Sequence, residues 1–256
     1  ADEVWRGLFR NLDFRKALAL GIDRDAISQF LYAGLAVPAN NTILPDSPLW
    51  DDSLANDCVA FDLDQANQIL DGLGLDQRND AGTRLLPDGR PMEMVVENSG
   101  EDNEQTDVLE LVADQWAQIG LKISSKPSDR QVMRQRVYAG SALMSMFFGI
   151  DNGVPTSSMP PKDFAPTAQG DQLQWPKWGQ YYETKGEAGE AASQAWSRGG
   201  GHGHLGAGGP PIMPDRTATT AAPHPAWTPL RKNSWRASLS VSAILRQKLW
   251  VVPCSY

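Results

Sequence analysis

Two cysteines in 256 residues, Cys58 and Cys254, are too few for a disulfide scaffold or a zinc site. Histidine is nearly as scarce, at three residues. No apolar run approaches the roughly 18–20 residues that a membrane-spanning helix requires, which argues against a helical membrane protein. Residues 1–5 have neither the basic start nor the apolar stretch of a signal peptide. The signatures G-x-S-x-G and H-E-x-x-H and the phosphate-binding P-loop are all missing. Positive charge is in deficit, with 23 Lys+Arg against 31 Asp+Glu and a net charge of −8. Binding to nucleic acid works by neutralising phosphates, so no nucleic acid partner is expected.

What is there divides in two. Residues 191–256 hold seven Lys/Arg and a single acid, Asp215, for a net +6, which leaves −14 of the overall −8 for residues 1–190. All three histidines, Gly199–Gly201 and the GGPP run at 208–211 lie in that basic tail. A sign change of this size marks two segments of different character.

The acidic part alternates helix and strand signals. Asp13 is the expected N-cap of a helix over 14–20, Asp23 of one over 24–33 and Asp64 of one over 65–72. Gly34 and Gly74 supply stops. Residues 35–60 read as a long connection broken by Pro38, Pro45 and Pro48. The segment 85–91 reads as strand, Pro-Asp-Gly turn, strand. A strand over 92–97, a helix over 104–119 and a strand over 121–126 make a βαβ crossover and a parallel pair. A helix over 129–138 and a buried strand over 142–148 follow. The fold class is therefore α/β. From Gly149 onward, prolines at 155, 160, 161, 166 and 176 predict irregular chain, yet Trp175, Trp178, Tyr181 and Tyr182 crowd into eight residues. Large aromatics on irregular backbone often line a site.

Several of these stretches resemble one family. FRKALALGIDR at 14–24 is similar to the helix pair of family 5 bacterial extracellular solute-binding proteins, the oligopeptide, dipeptide and nickel receptors of ABC importers. YAGLAVPA at 32–39, DLDQANQIL at 62–70, LPDGRP at 86–91 and ADQWAQIGL at 113–121 resemble its motifs in the same order. The resemblance implies a two-lobed, type II periplasmic-binding-protein-like fold that closes on its ligand. Residues 1–150 would form an α/β ligand-binding lobe, the C-terminal one. Residues 151–191 would form an irregular cleft and crossover segment, and 192–256 a largely irregular tail. The first lobe and the export signal would lie outside this chain. The resemblance also implies a monomeric, cofactor-free receptor that binds a peptide or similar small organic solute and hands it to the transmembrane subunits of an ABC permease. It would work in the periplasm, or lipid-anchored at the outer face of the membrane.

In the family an acid follows the last strand of this lobe and meets the ligand's ammonium group. Asp151, in GIDNG at 149–153, matches that position, with Asn152 beside it; Asp-Asn-Gly is equally an ordinary turn. Trp175 and Trp178 are the other expected ligand contacts, by stacking or by holding a cation; lobe packing is the bland alternative. Arg130, Arg134 and Arg136 read chiefly as a solvated helix face.

Other readings stay open. The acids Asp51, Asp52, Glu101, Asp102 and Glu104 invite a carboxylate- or metal-dependent hydrolase, which would need two carboxylates with separated pKa values. The tail departs from the family pattern after residue 190 as a shifted reading frame would, and a non-functional truncated product is a third reading. GHGHLG at 201–206 fits G-x-G-x-x-G but lacks a preceding strand, and Pro210 follows closely. His202, His204 and His224 sit in a Gly/Pro-rich tract without a preorganised metal geometry.

Overall fold

The computed structural model describes residues 2–40, 52–101, 103–147, 167–171, 173, 175–191 and 250–253; for Ser53, Leu54 and the last four, it describes the backbone alone. The predicted site residues Asp151 and Asn152, and most of the basic tail, lie outside the described residues.

Helices α1 (Glu3–Arg10) and α2 (Leu12–Leu20) share one residue as their joint. Asn11 ends α1 and caps α2, its side chain accepting from Asp13 N at 2.8 Å and Phe14 N at 3.3 Å. The expectation of Asp13 as cap is therefore corrected. Asp13 lies in the first turn, where a carboxylate favours the positive helix end. Asp23 caps α3 (Arg24–Tyr32) as expected, accepting from Ala26 N at 2.8 Å. A short α4 (Asp52–Asn56) leads to α5 (Leu63–Gly72). Its cap is Asp62, not Asp64, because Asp62 Oδ1 accepts from Gln65 N at 2.8 Å. Both corrections have one cause: two capping side chains stand two residues apart, and only the earlier one reaches an N–H of the first turn.

Leu86 N and Arg90 O close the Pro-Asp-Gly turn at 2.7 Å, and the chain enters β1 (Glu93–Asn98). Then come α6 (Asn103–Gln118), β2 (Lys122–Pro127), α7 (Arg130–Ala139) and β3 (Met144–Phe147). β1 pairs with β2 and with β3, both parallel, so β1 lies between them. The outer neighbour of β3 is β4 (Trp250–Pro253), antiparallel, in the order β2-β1-β3-β4. This is a strand within the segment predicted to be largely irregular.

The main core lies between the helices and one face of this sheet. Trp5, Phe9 and Phe14 meet with ring centroids 5.6–6.4 Å apart. Phe14, Leu18, Leu70, Val108, Val112, Trp116, Met94 and Val96 are all buried with them. Trp116 Nε1 donates to Leu18 O at 2.9 Å, which ties α6 to α2. Arg24 is buried, its Nη1 donating to Ala19 O, Ile22 O and Val59 O, and burial pushes its pKa down to about 10.

A smaller cluster of Met133, Val137, Ala142 and Leu173 seats residues 167–191 on α7. Pro176 opens α8 (Pro176–Glu183), which corrects the expectation of irregular chain there. Proline is tolerated at the first helical position because its missing N–H has no intrahelical partner in any case. The fit around α8 is close: a Cβ on Gly179 would stand 2.3 Å from Ala168 O. Gly179→Ala is expected to lower stability by about 1–3 kcal/mol, read as an earlier thermal unfolding midpoint. A midpoint equal to the parent's would show that residues 167–171 yield without cost. Glu190 closes the segment by pairing with Arg6 and Arg10 of α1.

Candidate ligand site

The crossovers place β2 and β3 on opposite sides of β1, so the chain changes direction between β1 and β3. In open α/β sheets the crevice outside the carboxyl ends of the strands at such a point is where ligands bind. Polar groups are concentrated there. Glu97 and Asn98 end β1 and Ser99 follows it, with at most 3% exposure each. Asn98 Nδ2 donates to Ser125 Oγ at 2.8 Å, Asn98 Oδ1 accepts from Gly100 N at 3.1 Å, and Asn98 O accepts from Ser128 N at 3.1 Å. The ends of β1 and β2 are laced together by one residue. Among the described residues Ser99 Oγ is buried with no hydrogen-bond partner, an arrangement that costs free energy unless another polar group meets it.

The three arginines of α7 are part-exposed, as a solvated face would be, but each has a partner. Arg136 Nε lies 2.8 Å from both oxygens of buried Glu97, and that carboxylate holds the guanidinium pKa above its ordinary value. Arg130 pairs with Glu101 and stands over the Phe147 ring, 5.4 Å from its centroid. Arg134 Nε donates to Tyr138 Oη at 3.0 Å.

Asp151 and Asn152 lie outside the described residues, four and five positions beyond the last residue of β3. Trp175 and Trp178 are brought together, edge to face at 6.0 Å. Trp175 carries a left-handed backbone, φ 54°. Their helix sits against the far end of α7: Gln169 Nε2 donates to Tyr138 O at 2.9 Å and Tyr138 Oη to Gly170 O at 3.3 Å. Arg130 and Ala139 bound α7, so roughly 13 Å of helix separates that end from the strand exits.

Of the acids of the hydrolase reading, Asp51 and Asp102 lie outside the described residues, and the other three are held by different partners. Glu101 is on Arg130, Glu104 accepts from Tyr32 Oη, and Asp52 accepts from Asn56 Nδ2 at 3.0 Å. Among the described residues no three His, Cys, Asp or Glu side chains converge to hold a metal ion. Cys58 is a free, half-buried thiol whose pKa is raised, first by burial and then by Asp57. Among the described residues no helix is long and apolar enough to cross a membrane.

Asn98 and Ser99 were missed as site residues in the sequence. Their signal was positional: a polar pair and a glycine directly after an alternating strand, at the start of a crossover.

A largely parallel sheet flanked by helices, with a polar rim at a β1/β3 switch, defines the α/β lobe of a periplasmic-binding-protein-like fold. The profile of the bacterial extracellular solute-binding proteins, family 5 Middle, matches residues 3–171, and the chain belongs to that family. A protein of Brucella ovis named as an ABC transporter peptide-binding protein is 32% identical over 158 residues, covering 59% of this chain and 27% of its own length. Heme-binding protein A of Haemophilus influenzae is 25% identical over 154 residues, covering 60% of this chain and 26% of its own. A solved structure of the oligopeptide-binding protein OppA superposes with a TM-score of 0.63 at 28% identity, over 77% of this chain and 33% of that one. NikA from Brucella suis, at 20% identity and a TM-score of 0.54, shares the fold over 68% of this chain and 34% of its own. The chain thus spans about a quarter of the length of the curated relatives it matches.

Proposed function

We propose that this chain supplies one wall of a receptor cleft that takes a peptide or similar small organic solute and delivers it to the permease of an ABC importer. The observation that carries the reading is the buried polar rim of Asn98 and Ser99 at the β1/β3 switch of a family 5 chain. Asp151 and Asn152, which follow β3 in the sequence by four and five residues, are the proposed partners of a ligand ammonium group through charge-assisted hydrogen bonds. Trp175 and Trp178 are proposed as a second contact, reached by a ligand or lobe that extends along α7. The mechanism is not catalysis. It is preferential binding to a closed arrangement of two lobes, which shifts the population toward closure. The receptor acts outside the cytoplasmic membrane, as a monomer and without a cofactor. The relatives' names, peptide-binding, oligopeptide-binding and heme-binding, support a small organic solute.

The test is a titration of isotope-labelled chain with a defined mixture of tri- to pentapeptides, followed by amide NMR. Shifts are expected at Asn98, Ser99 and residues 147–152. Calorimetry is expected to give less than micromolar-grade affinity, because a single wall leaves the ligand's other side in water. Amide shifts confined to other regions would overturn the site. Cleavage of the peptides that stops on adding chelator would instead favour the hydrolase reading.

A further inference from the structure

Arg130 occupies an unfavourable place for a cation. It is the first residue of α7, directly after the cap Asp129, where the helix dipole is positive. Helix stability therefore does not account for its position; its tertiary partners do. The guanidinium pairs with Glu101, on the loop after β1, and covers the ring of Phe147, the last residue of β3. Its own backbone follows the end of β2 by three residues. One side chain thus touches what leaves β1 and what ends β3, while its backbone continues from β2.

The loop it grips is tightly placed. Gly100 has φ 63°, and a Cβ there would stand 3.1 Å from Pro127 Cβ. Ser128 N donates to Asn98 O just behind it. The β1 exit is pressed against the β2 exit; beyond the last β1–β3 pair, Glu97 with Ser145, Arg130 extends that lacing to Phe147.

We infer that Arg130 is a positioning residue that clasps the β1 and β3 exits together through Glu101 and Phe147, setting the width of the crevice between them. The inference rests on the solute-binding reading of that crevice. The two contacts are half-exposed, at 40% for Arg130 and 42% for Glu101, so the clasp is moderate in strength and weakened by salt. It holds local geometry and does not hold the fold.

Three variants test it: Arg130→Met, which keeps length and loses charge; Arg130→Lys, which keeps charge; and Glu101→Gln, a surface change that leaves folding intact. Hydrogen exchange is read at residues 97–101 and 144–147, with the Phe147 ring proton shifts and the peptide titration alongside. Arg130→Met is expected to speed exchange at both segments and weaken peptide binding, each by about tenfold, with an unchanged unfolding midpoint. Glu101→Gln is expected to loosen 97–101 while leaving the Phe147 ring shifts in place. Arg130→Lys is expected to recover much of the loss at 97–101. Parental exchange at both segments in Arg130→Met and Glu101→Gln overturns the clasp, whatever the peptides do. Loosened exits with undiminished peptide affinity overturn its role in binding. Loosened exits in a chain whose parent does not respond to peptide uphold the clasp and overturn the solute-binding reading instead.

Discussion

Arg84→Met is expected to lower the free energy of unfolding by about 3 kcal/mol, seen as a lower urea midpoint with an unchanged slope. The side chain is 1% exposed and acts as a hub. Its Nε donates to Ile119 O at 2.7 Å, Nη1 to Leu75 O and to Asp71 Oδ1, and Nη2 to Asn67 Oδ1 at 2.8 Å. These acceptors belong to α5, the turn after it and the end of α6. Losing the guanidinium leaves buried carbonyls without donors, which costs more than the hydrogen bonds were worth net. The ion pair with Asp71 adds little, since that carboxylate is 54% exposed. Arg78 provides the control. It bonds Gly82 O and the same Asn67 Oδ1 from an exposed position, so Arg78→Met is expected to cost about 0.5 kcal/mol or less. Equal losses in the two variants would refute the hub.

Trp116→Ala carries the second large effect, about 3–5 kcal/mol. Trp116 is fully buried where α6 crosses the end of α2. The crossing leaves no slack: a Cβ on Gly21 would stand 2.9 Å from Ile119 Cδ1 and 3.3 Å from Trp116 Cδ1. Collapse into the cavity is limited by that contact, which puts the cost at the upper part of the range. Trp116→Phe separates the contributions. It keeps most of the volume, loses the bond to Leu18 O, and is expected to cost about 1–2 kcal/mol in thermal denaturation. If phenylalanine proved as damaging as alanine, the hydrogen bond and not the packing would be the larger part.

Neither Arg84 nor the caps Asn11 and Asp62 were legible in the sequence, and the reasons differ. Arg84 follows a short turn like any surface arginine. Its burial arises only when α5 and the end of α6 close around it. The caps were ambiguous by two residues because two suitable side chains compete, and the choice depends on backbone angles. The long elements were legible because their periodicity is local. The helix expected over 104–119 is Asn103–Gln118, and the strands on either side pair parallel as the crossover requires. The family was legible from motif order, since residues 14–121 keep five stretches in register with it, and the profile match covers them. The candidate site was only half legible. Trp175 and Trp178 were found as a cluster, but their place beside the far end of α7 follows from the docking of Leu173 and Gln169. The rim of Asn98 and Ser99 needed the strand order, which no local pattern supplies.

The antiparallel neighbour of β3 has a kinetic consequence. Phe147 pairs with Trp250, a partner 103 residues further along the chain (250 minus 147). Bringing such distant ends together costs about 4 kcal/mol in length-dependent closure entropy, so this pairing comes late in folding. During synthesis the three parallel strands emerge long before their fourth companion. Until the ribosome has passed Pro253, the outer hydrogen-bonding row of Met144–Phe147 stays open to any extended segment that reaches it, and a nascent chain in that interval is most vulnerable to joining a neighbour on the same polysome.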